Sequence, residues 1–175
     1  MKRKYVIGLD GSGVDEMLKG IEEHKRWLRE KTEELSKRLA DMGALYAQYS
    51  FDGALYSGNT DYTISVESKG EGAYVVKANG TTVLFIEFGS GVRHGYGHPE
   101  VGDYGPGTYP GNGHWDDPNG WWYQTNDASV ATRTTKSTGQ SWVHTYGNPP
   151  NAPMYNSVKD LERELESVVR EVFHD

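Results

Sequence analysis

Apolar residues fall into step at Ile21, Leu28, Leu35, Met42 and Tyr49, one every seven positions, as along one face of an α-helix. Leu18, Leu39 and Tyr46 begin a second row beside the first, which Lys25 and Thr32 interrupt. Glu, Lys and Arg crowd the opposite face. The spacing predicts a long helix over 14–49, with Gly11-Ser12-Gly13 breaking the chain before it and Ser12 as its cap. The polar interruptions favour a helix laid across a sheet over a self-associating coiled coil.

A short apolar piece at 5–10 reads as a strand ahead of that helix. Beyond a connector at 51–58, Tyr62, Ile64 and Val66 alternate with polar residues, the pattern of a half-buried strand. Gly70-Glu71-Gly72 then predicts a turn, 73–78 a second strand, and Asn79-Gly80 a hairpin into a third strand over 81–88. These three form an antiparallel meander over 62–88. Trp121-Trp122-Tyr123 begins another strand and 141–146 reads as the last. Ala152 or Pro153 opens a final helix over 152–173, since proline is tolerated in a first helical turn. Met154, Val158, Leu161, Leu165, Val168 and Val172 mark its buried face. The expected fold is α+β: an antiparallel sheet of about four strands packed by a long N-terminal and a C-terminal helix. A Gly- and aromatic-rich loop region over 89–140 completes a single domain spanning 1–175.

Composition narrows the compartment. The 175 residues suit one domain with a real core, although a mean hydropathy of −0.73 is polar. There is no cysteine, which excludes disulfides and thiolate metal sites. No apolar run approaches the ~20 residues that cross a bilayer. Met1-Lys2-Arg3-Lys4 is basic but lacks the apolar stretch of a secretory signal, so a soluble cytoplasmic product is expected. The net charge of −7 is uneven: residues 1–50 carry 10 Lys and Arg against 9 Asp and Glu, residues 51–175 carry 8 against 16. Tight DNA binding needs clustered Lys and Arg to displace counterions, so sequence-specific recognition is not expected. The acid suits ordinary solubility, or a wall past which DNA slides.

Several residues could carry chemistry. His94, His98 and His114, with Asp116 and Asp117, offer imidazole and carboxylate, the donors of catalytic zinc. They sit in a glycine-rich stretch without the helical spacing that fixes a metal site, and surface-loop histidines are the simpler reading. Glu87 at the end of the third strand could act as a general acid, yet no second acid is spaced to work with it. Strand alternation instead turns it toward solvent or a neighbouring subunit. No nucleophile elbow and no phosphate-binding loop is present. Tyr104, Tyr109, Trp115, Trp121 and Trp122 leave three readings open: stacking on sugar rings, burial by a neighbouring subunit, or a satellite core folded onto their own domain.

Two segments carry a resemblance: Val83-Leu84-Phe85-Ile86-Glu87-Phe88-Gly89-Ser90-Gly91, and Pro149-Pro150-Asn151-Ala152-Pro153-Met154 before the last helix. An apolar run ending in an acid, an aromatic and Gly-Ser, a variable loop, then a proline-rich approach to the last helix resembles the head–tail joining, or tail-completion, proteins of long-tailed bacteriophages. In that family Gly89 and Gly91 would turn the chain, and Pro149, Pro150 and Pro153 would fix the start of the helix. The loop here is longer and richer in Trp, Tyr and His than the family's. The resemblance implies a structural virion protein at the head–tail junction, made in the host cytoplasm. It would form a ring with itself, of six copies, meeting connector or stopper and tail-tube proteins and leaving a channel for DNA. It implies no enzyme activity, catalytic residue, metal or cofactor. Interface contacts would then fall on Glu87, Phe88, Tyr104, Tyr109, Trp115, Trp121 and Trp122. The alternative is a carbohydrate-binding or metal-dependent hydrolytic domain built on the aromatic and histidine loop.

Overall fold

The computed structural model describes residues 11–54, 61–91, 97–100, 117–127 and 129–174. In chain order these form α1 (Gly11–Asp52), β1 (Thr63–Gly70), β2 (Ala73–Asn79), α2 (Val83–Phe88), β3 (Trp121–Thr125), β4 (Arg133–Thr134), β5 (Ser141–Thr145) and α3 (Pro153–His174). The fold class is α+β, as the periodicities indicate. The strands form two separate sheets, β1-β2 and β3-β5-β4, in place of one sheet of about four strands. The expected strand over 5–10 lies outside the described residues.

The chain divides into two compact units. The first comprises Met1–Tyr46, Ile64–Lys77 and Ser157–Asp175. In it α1 presents small residues inward. A Cβ on Gly43 would stand 2.9 Å from Leu161 Cδ1 and 3.6 Å from Val76 Cγ2. Ala40, Val168 and Val172 are also buried in this unit. Farther along α1, the Trp27 ring meets Phe173 edge-on at 5.9 Å, and Arg38 pairs with Glu171. The Gly70-Glu71-Gly72 turn forms where expected, with all three residues at positive φ.

The second unit comprises Ala47–Thr63 and Ala78–Asn156. Ala47, Phe51, Val83, Ile86, Ala152 and Pro153 are buried here, and Tyr62 packs on Phe51 at 4.8 Å. The Tyr62 hydroxyl donates to Asp52, which also accepts from Gln48 Nε2 at 3.0 Å. In the three-stranded sheet, Trp121↔Thr145 to Thr125↔Ser141 pair antiparallel, and β4 adds Arg133↔Trp142 and Thr134↔Ser141.

The largest correction concerns 81–88, which is not the third strand of a meander. Val83, Ile86 and Glu87 are buried while Leu84 is exposed, a period of three and four that belongs to a helical turn. The cause lies just upstream. The Asp61 carboxylate accepts from the Thr81 amide (3.1 Å) and the Thr81 hydroxyl (2.6 Å), and Ile86 N donates to Thr82 O at 3.0 Å to close the first turn. Gly80 makes no hairpin. Its φ is 154, and a Cβ there would lie 1.9 Å from the Asp61 carbonyl oxygen. The chain leaves β2 backbone against backbone and enters a helix.

Two outcomes test this account. Gly80→Ala, which collides with backbone, is expected to destabilise by well over about 1 kcal/mol in urea unfolding. Gly139→Ala, also at positive φ but with nothing within 4 Å, should lose clearly less. Burial first, then the Asp52 carboxylate, pushes the Tyr62 phenol up to about 12 from 10.0. The folded protein therefore holds this proton more tightly than the unfolded chain, so the contribution is present below pH 10 and lost as pH rises towards 12. Over that window the wild type should lose stability faster than Tyr62→Phe, measured by urea unfolding at each pH.

Candidate functional site

The two segments that carry the resemblance meet in space, inside the second unit. Ser90 N donates to Asn148 O at 2.9 Å, and Asn148 N donates to Ser90 Oγ at 3.1 Å. Asn151 N donates to Ile86 O at 2.9 Å and Ala152 N to Glu87 O at 3.1 Å. Carbonyls at the end of α2, which have no partner within their own helix, are thus satisfied by the segment leading into α3. The approach is too close for side chains. A Cβ on Gly89 would lie 2.6 Å from Asn148 O, and one on Gly147 only 1.8 Å from Ser90 O. Gly91 presses likewise on Tyr146 O. Pro149 is exposed, Pro150 half-buried and Pro153 fully buried as the first residue of α3.

Glu87 is the centre of this clasp. It is only 6% exposed, so the expectation that it faces solvent or a neighbouring subunit fails; that expectation rested on strand alternation in a segment that is helical. Oε2 accepts from Met154 N at 2.8 Å, and Oε1 from Tyr155 N at 3.1 Å. These amides belong to the first turn of α3, whose preceding residue, Ala152, has no side-chain acceptor to offer. A carboxylate at this end of a helix is also favoured by its dipole. The chemistry available to Glu87 is thus a cap delivered from elsewhere in the chain.

His98 completes the carboxylate's shell. It is 3% exposed, its Nε2 stands 3.1 Å from Glu87 Oε1, and its Nδ1 accepts the Glu100 amide at 3.1 Å. A nitrogen that accepts a backbone N–H carries no hydrogen, so the ring proton sits on Nε2 and points at Glu87. Phe88 packs on the imidazole at 4.5 Å, and Tyr155 meets it edge-on at 5.7 Å. Spacing alone gave no sign that His98 belongs with Glu87. The one readable signal was a helix beginning Ala-Pro, which needs an acceptor from outside.

The remaining candidates are dispersed. His94, His114, Asp116, Tyr104, Tyr109 and Trp115 lie outside the described residues. Among the described residues there is no group of three or more His, Asp or Glu placed to hold a metal; His98 is spent on Glu87, and Asp117 Oδ1 accepts Asn119 N at 2.8 Å. Trp121 and Trp122 point to opposite faces of β3. Trp121 is half-buried, and its ring lies 3.2 Å from a Cβ built on Gly91. Trp122 is 47% exposed and heads a row of rings, Trp122–His144 and His144–Tyr146 each at 4.9 Å. Compared with protein-family profiles, curated proteins and solved structures, the chain matches none.

If Glu87 acts as a cap, Glu87→Gln sets an amide donor against a backbone donor at one of the two oxygen positions. The expected cost is about 1–3 kcal/mol, seen in urea unfolding as a lower midpoint with an unchanged slope.

Proposed function

We propose that this chain is a structural protein of the head–tail junction of a long-tailed phage. It would assemble with itself as a ring, of six copies in the particle, that completes the tail or connector and lets DNA pass. The observation that supports this reading is the clasp: the two segments behind the family resemblance, far apart in sequence, are one structural device built of backbone hydrogen bonds, glycine contacts and a buried cap. In a joining protein these motifs have a structural job, and here the Glu87 carboxylate, the Ser90 hydroxyl and the Asn151 and Ala152 amides are spent on one. The row of Trp122, His144 and Tyr146, exposed at its two ends, offers aromatic area of the kind that neighbouring subunits bury. β3 and β4 are the outer strands of their sheet, the position at which a further strand can be added. Closed rings arise when a heterologous interface repeats with a rotation that closes, and such a surface can be one half of it. The acidic balance beyond residue 50 suits a channel wall that does not hold DNA.

Electron microscopy of lysates from a phage carrying a null allele of this gene tests the reading. The expected result is DNA-filled heads beside unattached tails, with tail length reporting whether termination also fails. Intact, infectious particles would overturn it.

A further inference from the structure

The β3-β5-β4 sheet turns a particular set of side chains outward. Along β3 burial alternates: Trp121, Tyr123 and Thr125 are half-buried, while Trp122 and Gln124 are exposed, so one side of the strand packs and the other is open. Residues directly opposite each other across a ladder share a face. The register therefore sets Gln124, Trp142 and Arg133 in one row across all three strands, and Trp122 and His144 in the next. Gln124 and Arg133 are exposed, Trp142 and His144 half-buried. Trp122 is 47% exposed, and the His144 ring stands beside it at 4.9 Å, tilted by 59°. Backbone contacts hold the rows in place: Thr132 N donates to Trp142 O at 2.8 Å, and His144 N to Thr132 Oγ1 at 3.2 Å.

The side-chain chemistry of this face selects its ligand. The strands place on it two indoles, a carboxamide, a guanidinium and an imidazole, and among these strand residues there is no carboxylate and no aliphatic side chain. A sugar ring has an apolar C–H face rimmed by hydroxyls that both donate and accept. An exposed indole suits the first. The second is matched by a Gln amide, which donates and accepts, and by the donor fork of an Arg. A single-stranded nucleic acid also stacks on aromatic rings, but its phosphates need a groove lined with cations. Arg133 is the one Lys or Arg that these strand residues bring to the face. The surrounding segment adds no net charge either: over 117–146, Asp117 and Asp127 balance Arg133 and Lys136. An uncharged ligand fits that balance.

We propose that this sheet face binds an uncharged saccharide, with Trp122 stacked on a sugar ring and Gln124 and Arg133 holding its hydroxyls. The proposal does not rest on the virion reading, and a saccharide and a neighbouring subunit exclude each other on Trp122, so the two occupants are separable. Native electrophoresis of the full chain, in gels cast with soluble starch, laminarin, xylan or hydroxyethyl cellulose, tests it. At least one of these should retard the wild type, and added salt should leave that retardation unchanged. Trp122→Ala, at an exposed position, should weaken binding about tenfold or more with unchanged circular dichroism, while Trp122→Tyr keeps most of it. Gln124→Ala and Arg133→Ala should each weaken it about fivefold. Retardation by none of the polysaccharides would overturn the proposal, and loss of self-association in Trp122→Ala would then assign the face to a subunit contact. Retardation that survives Trp122→Ala would overturn it equally. So would salt-sensitive binding of oligothymidylate in place of any polysaccharide, which would mark a nucleic-acid face.

Discussion

Around the Glu87 carboxylate, two helix ends solve each other's problem. The last carbonyls of α2 lack partners within their helix, and so do the first amides of α3. Ile86 and Glu87 give their carbonyls to Asn151 and Ala152, while the Glu87 side chain takes the amides of Met154 and Tyr155. A buried carboxylate is costly without such partners; here it has two backbone donors and the His98 ring. The glycines on either side follow from this exchange. Gly89, Gly91 and Gly147 let two backbones run within contact distance, and no side chain fits between them.

Much of the fold was legible because local chemistry and tertiary structure agree. The heptad of Ile21 to Tyr49 marked a helix that extends three residues beyond the expected range at each end. The β1 and β2 strands follow their alternation, the Gly70-Glu71-Gly72 turn forms, and α3 begins at Pro153. The segment 81–88 failed for a physical reason. A short apolar run fits a buried strand as well as a helical turn, and the choice was made by Asp61, some twenty residues upstream, binding Thr81. Asn79-Gly80 is a strong hairpin signal only when nothing else needs the glycine. Here the backbone at Asp61 and Tyr62 does.

The candidate site divides in the same way. That 83–91 and 149–154 matter was readable, since glycine and proline at fixed places restrict the backbone. That the two segments touch was not, because nothing in their spacing records a contact made across the fold. Glu87 was misplaced by one wrong periodicity, and His98 was grouped with histidines instead of with its carboxylate. On α1 the heptad was visible, but the half-buried stripe of its first half was not. That stripe is built partly from Gly20, His24 and Lys31, residues that a search for hydrophobic faces passes over.

The cap has a kinetic side. Glu87 and Met154 are 67 residues apart in sequence, and a contact that closes so long a loop is made late, after local structure has formed. Helix beginnings ordinarily fray independently of the rest of a protein. In α3 the first turn cannot be secured until α2 has docked, so its order reports completion of the tertiary structure and not local helix formation.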